Sequence, residues 1–119
     1  MVVLDFRAEW CGPCRNDLPV AAEAHRQREK TGIVIIGIHN PGSPEEKIRE
    51  VMDKFQMQYP ICIDPPRDEE LQTWGLLSGQ YGVFAIPHAF VIDQEGNIAG
   101  HGELKEVLLH ARDLARRGK

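Results

Sequence analysis

The sequence predicts an α/β protein with a mixed sheet between two helix layers, on three observations. A β-branched apolar run near the N-terminus passes directly into helical spacing, and a second continuous apolar run follows at once, completing a strand-helix-strand unit. Near the C-terminus a strand-turn-strand pattern precedes an amphipathic helix. Written out, the order is β-α-β-α-(β)-β-β-α, which suits about four to five strands and about four helices.

Each element has a local reason. Val2 to Phe6 is β-branched and apolar, as a buried strand requires. After Trp10-Cys11-Gly12-Pro13-Cys14, the pattern switches to helical spacing at Leu18, Ala21, Ala22 and His25. Pro13 fits a first helical turn, whereas Pro19 inside the pattern predicts a kink, and Gly32 ends the helix. Ile33 to Ile38 reads as an interior parallel strand covered on both faces. Ser43-Pro44-Glu45-Glu46 predicts a helix start with a Ser cap, Pro at the first position and a capping box, ahead of Ile48, Val51, Met52 and Phe55 on one face. Tyr59 to Asp64 predicts a short strand, placed near an edge or start by Pro60. From Pro65 to Gly82 the prediction is an irregular loop holding a short helix near Glu69 to Trp74. Ala89 to Asp93, a turn over Gln94 to Asn97, and Ile98 to Gly100 form a hairpin. The last helix turns Leu104, Val107, Leu108, Ala111 and Ala115 inward.

At 119 residues the chain is expected to be one domain. Fourteen Lys and Arg against 18 Asp and Glu give a net charge of -4, spread evenly, which argues against a nucleic-acid partner or an anionic membrane surface. No apolar run approaches the about 20 residues of a membrane span. Met1 abuts the first strand, with no basic region or small-residue cleavage site before it. That start suits either a cytoplasmic protein or a domain excised from a longer precursor.

Of the three cysteines, Cys11 and Cys14 lie at a strand-to-helix junction, where unpaired backbone N–H groups and the helix dipole favour a thiolate. A free thiol of pKa about 8.5 is about 3% ionised at pH 7, and about half ionised if its pKa falls to about 7. Once Cys11 attacks a disulfide, Cys14 is close enough to resolve the mixed disulfide. Pro13 stiffens the Gly12-Pro13 loop and removes one N–H, which favours a reducing pair. Zinc needs four ligands; Cys62 is isolated, and His88 and His101 lack the spacing. A structural disulfide closing so small a loop stabilises little.

Val3-Leu4-Asp5-Phe6 and Ala8-Glu9-Trp10-Cys11-Gly12-Pro13-Cys14 resemble the active-site segment of thioredoxin. Cys14-Arg15-Asn16-Asp17-Leu18-Pro19, the added helix and strand in the middle, and Ile86-Pro87 before Phe90 to Gly96 resemble the TlpA/ResA-type thiol-disulfide oxidoreductases. The resemblance implies a three-layer thioredoxin-like α/β/α fold with a TlpA-like central insertion. The leading strand or hairpin usual in such domains is missing before Val2, which favours the excised-domain reading.

The resemblance also assigns roles. Asp5 would be a buried proton acceptor behind the resolving Cys14, the alternative being an exposed edge-of-strand carboxylate. Asp17, where the TlpA/ResA pattern has Glu, would share acid-base work or be a solvated helical carboxylate. Pro87 would be a cis-proline, with Ile86 presenting backbone groups to an extended substrate chain. Trp10 would shield the pair and offer apolar contact surface, or else pack in the core. Arg7 stands where thioredoxin has an aromatic; it would stabilise the Cys11 thiolate, select acidic partners, or be a solvated surface group. Cys62 reads as a small buried hydrophobe, and His88 either tunes Cys11 or bonds locally.

The implied activity is reduction of protein disulfides without metal or cofactor other than the redox-active Cys11–Cys14 disulfide. A disulfide-containing protein would be substrate and an upstream thiol the electron donor, with the chain a monomer, free of direct membrane contact, and extracytoplasmic by family resemblance or else cytoplasmic. A redox-sensing interaction module and a disulfide oxidase or isomerase are the alternatives. A peroxiredoxin-like peroxidase would need a Thr beside a lone cysteine, and Thr31 and Thr73 are remote in sequence.

Overall fold

A computed structural model describes residues 1–68 and 74–117. Its five-stranded sheet has the order β3-β2-β1-β4-β5, where β1 is Val2–Arg7, β2 Val34–His39, β3 Ile61–Ile63, β4 His88–Ile92 and β5 Ile98–Gly102. β1 pairs in parallel with β2 and antiparallel with β4; β2 pairs in parallel with β3, and β4 antiparallel with β5. The sheet is therefore mixed, and the most apolar run near the N-terminus lies at its centre.

The single helix expected after the cysteine pair is three: α1, Gly12–Asn16, α2, Leu18–Arg26, and α3, Arg28–Thr31. The first break falls at Asp17, two residues before Pro19, which has no N–H to donate to Arg15 and crowds that carbonyl. Gly32, at φ 72°, closes α3 by donating its N–H to Arg28 O at 2.8 Å. α4 spans Glu45–Lys54. The expected capping box does not form there: Pro44, at ψ 137°, is itself the extended N-cap and no side chain caps the helix. Pro44 lies outside the helix, so Ser43 is one position too early to reach the first turn.

α5, Leu76–Gln80, lies where only loop was expected; the helix expected near Glu69 to Trp74 falls almost wholly outside the described residues. α4 and β3 supply the central insertion. α6 is Leu104–Arg117, with Leu104, Val107, Leu108 and Ala111 buried and Ala115 half-buried.

Alternation along β1 divides the core. Val3 joins Leu18, Ala21 and Ala24 of α2, Val51 of α4 and Val107, Leu108 and Ala111 of α6 on one face. Leu4 and Phe6 meet Ile38, Val83 and Phe90 on the other. Phe6, Tyr81 and Phe90 form an edge-to-face and tilted aromatic trio with ring centroids 5.0–5.7 Å apart. The two helix layers are unequal, for α5 and its flanking loops cover the second face. This thinner cover leaves Ile36 half-buried, and Val34, beyond the reach of β3, is exposed. The full two-sided burial expected of that strand holds only at its C-terminal half.

Candidate active site

The C-terminal end of β1 delivers the chain into the cysteine loop. Cys11 is the N-cap of α1 in extended conformation (φ -86°, ψ 114°), and its Sγ accepts the Cys14 N–H at 3.3 Å. The two cysteines form a disulfide with their Cα atoms 5.2 Å apart. Pro13 sits in the first turn of α1, where its missing N–H costs no helical bond. A Cβ on Gly12 would meet nothing within 4 Å, so the turn itself leaves room for a side chain there.

Both cysteines are largely buried, at 6% and 2% exposure, in a small cluster with Ala8 and Ile86. Cys11 Sγ lies 3.9 Å from Ile86 O. The Ile86–Pro87 peptide bond is cis, as the resemblance implies. Trp10 stays outside the cluster at 59% exposure, so it is not core, and Phe84, two residues before Ile86, is 73% exposed. The disulfide is thus flanked by loops that carry exposed aromatic surface.

Asp5 is 2% exposed in the central strand, which excludes the solvent-exposed reading. Burial raises its carboxyl to about 7, with Arg7 pulling it down and Asp17 pushing it up. Asp17 is the N-cap of α2, half-buried and without a side-chain capping bond. Burial raises its pKa too, while Lys105 opposes and Glu103 reinforces the rise. Asp17, whose charge opposes ionisation of Asp5, stands at the α1–α2 junction three residues beyond Cys14.

Three expectations need correction or completion. Arg7 is neither a surface group nor a charge presented at Cys11: it is 2% exposed, and its Nη1 donates to the Tyr59 hydroxyl. Alternation turns it inward beside Asp5, because the strand continues one residue past Phe6. Cys62 is exposed, since β3 is an edge strand that has a neighbouring strand on one side only. His88 bonds locally, Nε2 to His101 Nδ1 at 3.0 Å, with its ring stacked on Phe90.

His39 is fully buried and supports the cysteine loop. Its Nε2 accepts the Glu9 N–H at 2.8 Å and its Nδ1 lies 2.7 Å from Asn40 O. An Nε2 that accepts leaves the proton on Nδ1, so the ring is neutral and donates to Asn40. Burial lowers its pKa, in keeping with that state. Arg15 Nε–H clamps the same loop by donating to Glu9 O at 2.8 Å. A His ending an apolar strand was the available signal, but its partner is a backbone group 30 residues away.

Thr31 bonds Gln27 O and Ile33 N beside the start of β1, the opposite end of the sheet from Cys11. Thr73 lies outside the described residues. Among the described residues no group of three or more His, Cys, Asp or Glu is placed to hold a metal, and no helix is long and apolar enough to cross a membrane.

A central mixed sheet, a disulfide-bonded cysteine pair opening a helix, and a cis-proline beside Cys11 Sγ define a protein of thioredoxin-like fold. The chain belongs to the AhpC/TSA family, whose model matches residues 1–101. It is 26% identical over 98 residues to the thioredoxin-like protein YneN of Bacillus subtilis, covering 82% of this chain and 52% of that protein. To the thiol-disulfide oxidoreductase ResA of the same organism it is 24% identical over 111 residues, covering 92% of this chain and 57% of ResA. The chain thus spans about half the length of these curated relatives. A thiol-disulfide isomerase from Corynebacterium glutamicum superposes with a TM-score of 0.83 at 22% identity, covering 96% of this chain and 79% of that one. The thioredoxin domain of a thiol-disulfide oxidoreductase from Bacteroides vulgatus gives 0.78 at 17% identity, covering 96% and 78%. These likenesses bear out the expected thioredoxin-like fold.

Proposed function

We propose that this chain, acting as one domain and as a monomer, is a thiol-disulfide oxidoreductase that reduces protein disulfides by dithiol exchange. The observation that carries the reading is the Cys11–Cys14 disulfide opening α1 against the cis Ile86–Pro87 bond. The names of ResA and YneN support it.

In the reduced protein the Cys11 thiolate attacks one sulfur of a substrate disulfide and expels the other as a thiolate, leaving a mixed disulfide on Cys11. Cys14 then gives its proton to the Asp5 carboxylate, and its thiolate attacks Cys11 Sγ. The Cys11–Cys14 disulfide forms and the substrate's second thiolate leaves, so two electrons pass to the substrate. A thiol donor returns two electrons to reset the pair. A carboxyl near 7 is matched to this transfer: an ordinary carboxylate near 4 is too weak a base for a thiol.

Trp10 and Ile86 form the substrate contact, with Ile86 offering its backbone to an extended chain. Gly12 and Pro13 set the loop, and Asp17 adjusts Asp5 through its charge. No metal or other cofactor enters the scheme, and neither nucleic acid nor membrane is a partner. Turnover of a disulfide-containing protein with dithiothreitol as donor tests the reading. Cys11→Ser should abolish it and Cys62→Ser leave it unchanged; the reverse pattern would refute it.

A further inference from the structure

We propose that Arg7 is the fixed counter-charge of Asp5, a positioning residue whose buried guanidinium keeps the carboxylate form of Asp5 populated at neutral pH. The proposal deepens the proton-acceptor role given to Asp5 and rests on it only for its effect on exchange.

Arg is almost never fully buried without a charged partner, yet Arg7 is 2% exposed. Its Nη1 meets only neutral acceptors, the Tyr59 hydroxyl and, at 3.9 Å, Met57 Sδ. Among the described residues no carboxylate lies within ion-pair distance of it. Two positions back on the same face of β1, a backbone rise of about 6.6 Å, stands the buried Asp5. Arg7 Nε and Asp5 Oδ1 are both buried without a hydrogen-bond partner, which leaves an uncompensated cation and an uncompensated carboxyl on one face of one strand.

The neighbouring strand makes space for this arrangement. Gly37, opposite Asp5 in register, would with a Cβ crowd Ile61 at 3.3 Å, the Tyr59 ring at 3.4 Å and Arg7 Cδ at 3.5 Å.

The other groups acting on Asp5 do not replace the cation. Asp17, from the α1–α2 junction, pushes its pKa up. Tyr59, from the segment before β3, has its own pKa raised by burial and stays neutral. The Cys11–Cys14 disulfide does not titrate in the oxidised protein, and Lys105 and Glu103 at the start of α6 act on Asp17. Without Arg7, a carboxyl this deeply buried and opposed by the charge of Asp17 is mostly protonated at neutral pH and is a poorer proton acceptor.

The test uses the oxidised chain, in which neither active-site cysteine titrates. Carbon-13 NMR follows the Asp5 carboxyl, assigned by its loss in Asp5→Asn. Arg7→Gln should raise the Asp5 midpoint by about one pH unit or more, and Arg7→Lys should restore most of it. A rise from about 7 to about 8 leaves about a tenth of Asp5 ionised at pH 7 instead of half, so exchange at that pH should fall about fivefold. In the unmutated protein the Arg7 Nε–H resonance should shift with the Asp5 midpoint, a readout that does not require a variant to fold. An unchanged or lowered midpoint in Arg7→Gln overturns the proposal, as does an Arg7 resonance that stays flat while Asp5 titrates. A midpoint that moves while the pH profile of exchange does not would support the pairing and refute the acceptor role of Asp5.

Discussion

Replacing Asp5 by Asn removes the group whose burial opposes its own ionisation, and the consequence is a pH-dependent stabilisation of the oxidised protein. The folded-state pKa is raised from 3.8 to about 7. Between those values the folded chain holds a proton that the unfolded chain has released, so stability falls as pH rises through that window. A rise of about three pH units in the midpoint corresponds to a loss of about 4 kcal/mol, complete above the folded pKa and absent below about pH 4. The carboxyl is almost wholly shielded from solvent, so screening reduces this figure little. Urea denaturation of the wild-type and Asp5→Asn proteins, both oxidised, measures it from about pH 4 to about pH 9. Subtracting the two curves cancels the other titrating groups and any constant cost of burying the amide. The difference should grow in favour of Asn by about 1.4 kcal/mol per pH unit up to about pH 7 and then level off. A difference flat across this range would refute the argument that Asp5 is buried with a raised pKa.

Substituting His39 by Phe removes the acceptor for Glu9 N–H and the donor to Asn40 O, and should cost about 2–4 kcal/mol in a denaturation midpoint while slowing exchange through a loosened cysteine loop. Asp64 accepts the N–H groups of Leu77 and Ser78 at 2.8 and 2.9 Å and so caps α5 from outside the helix. Asp64→Ala should therefore cost about 1–2 kcal/mol by the same measurement. Trp10→Ala and Phe84→Ala should raise KM for a protein disulfide while leaving kcat nearly unchanged, because both side chains are exposed on loops flanking the reacting sulfurs rather than bonded to them. Steady-state kinetics at neutral pH separates the two constants.

The sheet and its long helices were legible because their cues are local. Val2 to Phe6 and Ile33 to Ile38 are apolar beyond what a surface strand needs, and Leu104 to Ala111 follows the helical period. The Cys11–Cys14 pair was legible as a unit because three-residue spacing at a strand-to-helix junction sets the two side chains one turn apart, where the disulfide closes. The misread positions depend on partners distant in sequence. Arg7 is buried because Tyr59, 52 residues on, supplies an acceptor and Gly37 supplies room. Cys62 looked like core in an apolar strand, but its strand is an edge, and edge position follows from sheet order rather than composition. α5 begins after Gly75, a weak start by local rules, because Asp64 provides the cap from before the loop. Pro44 matched a first-turn proline in pattern, while its extended ψ put it one place outside the helix.

The central claim is that Cys11 attacks and Cys14 resolves. The most direct measurement is trapping with Cys14→Ser, incubated in its reduced form with a disulfide-containing protein and followed by peptide mass spectrometry. A stable mixed disulfide on Cys11, absent from the Cys11→Ser protein, is the predicted result. An adduct on the exposed Cys62, or none on Cys11, would contradict it.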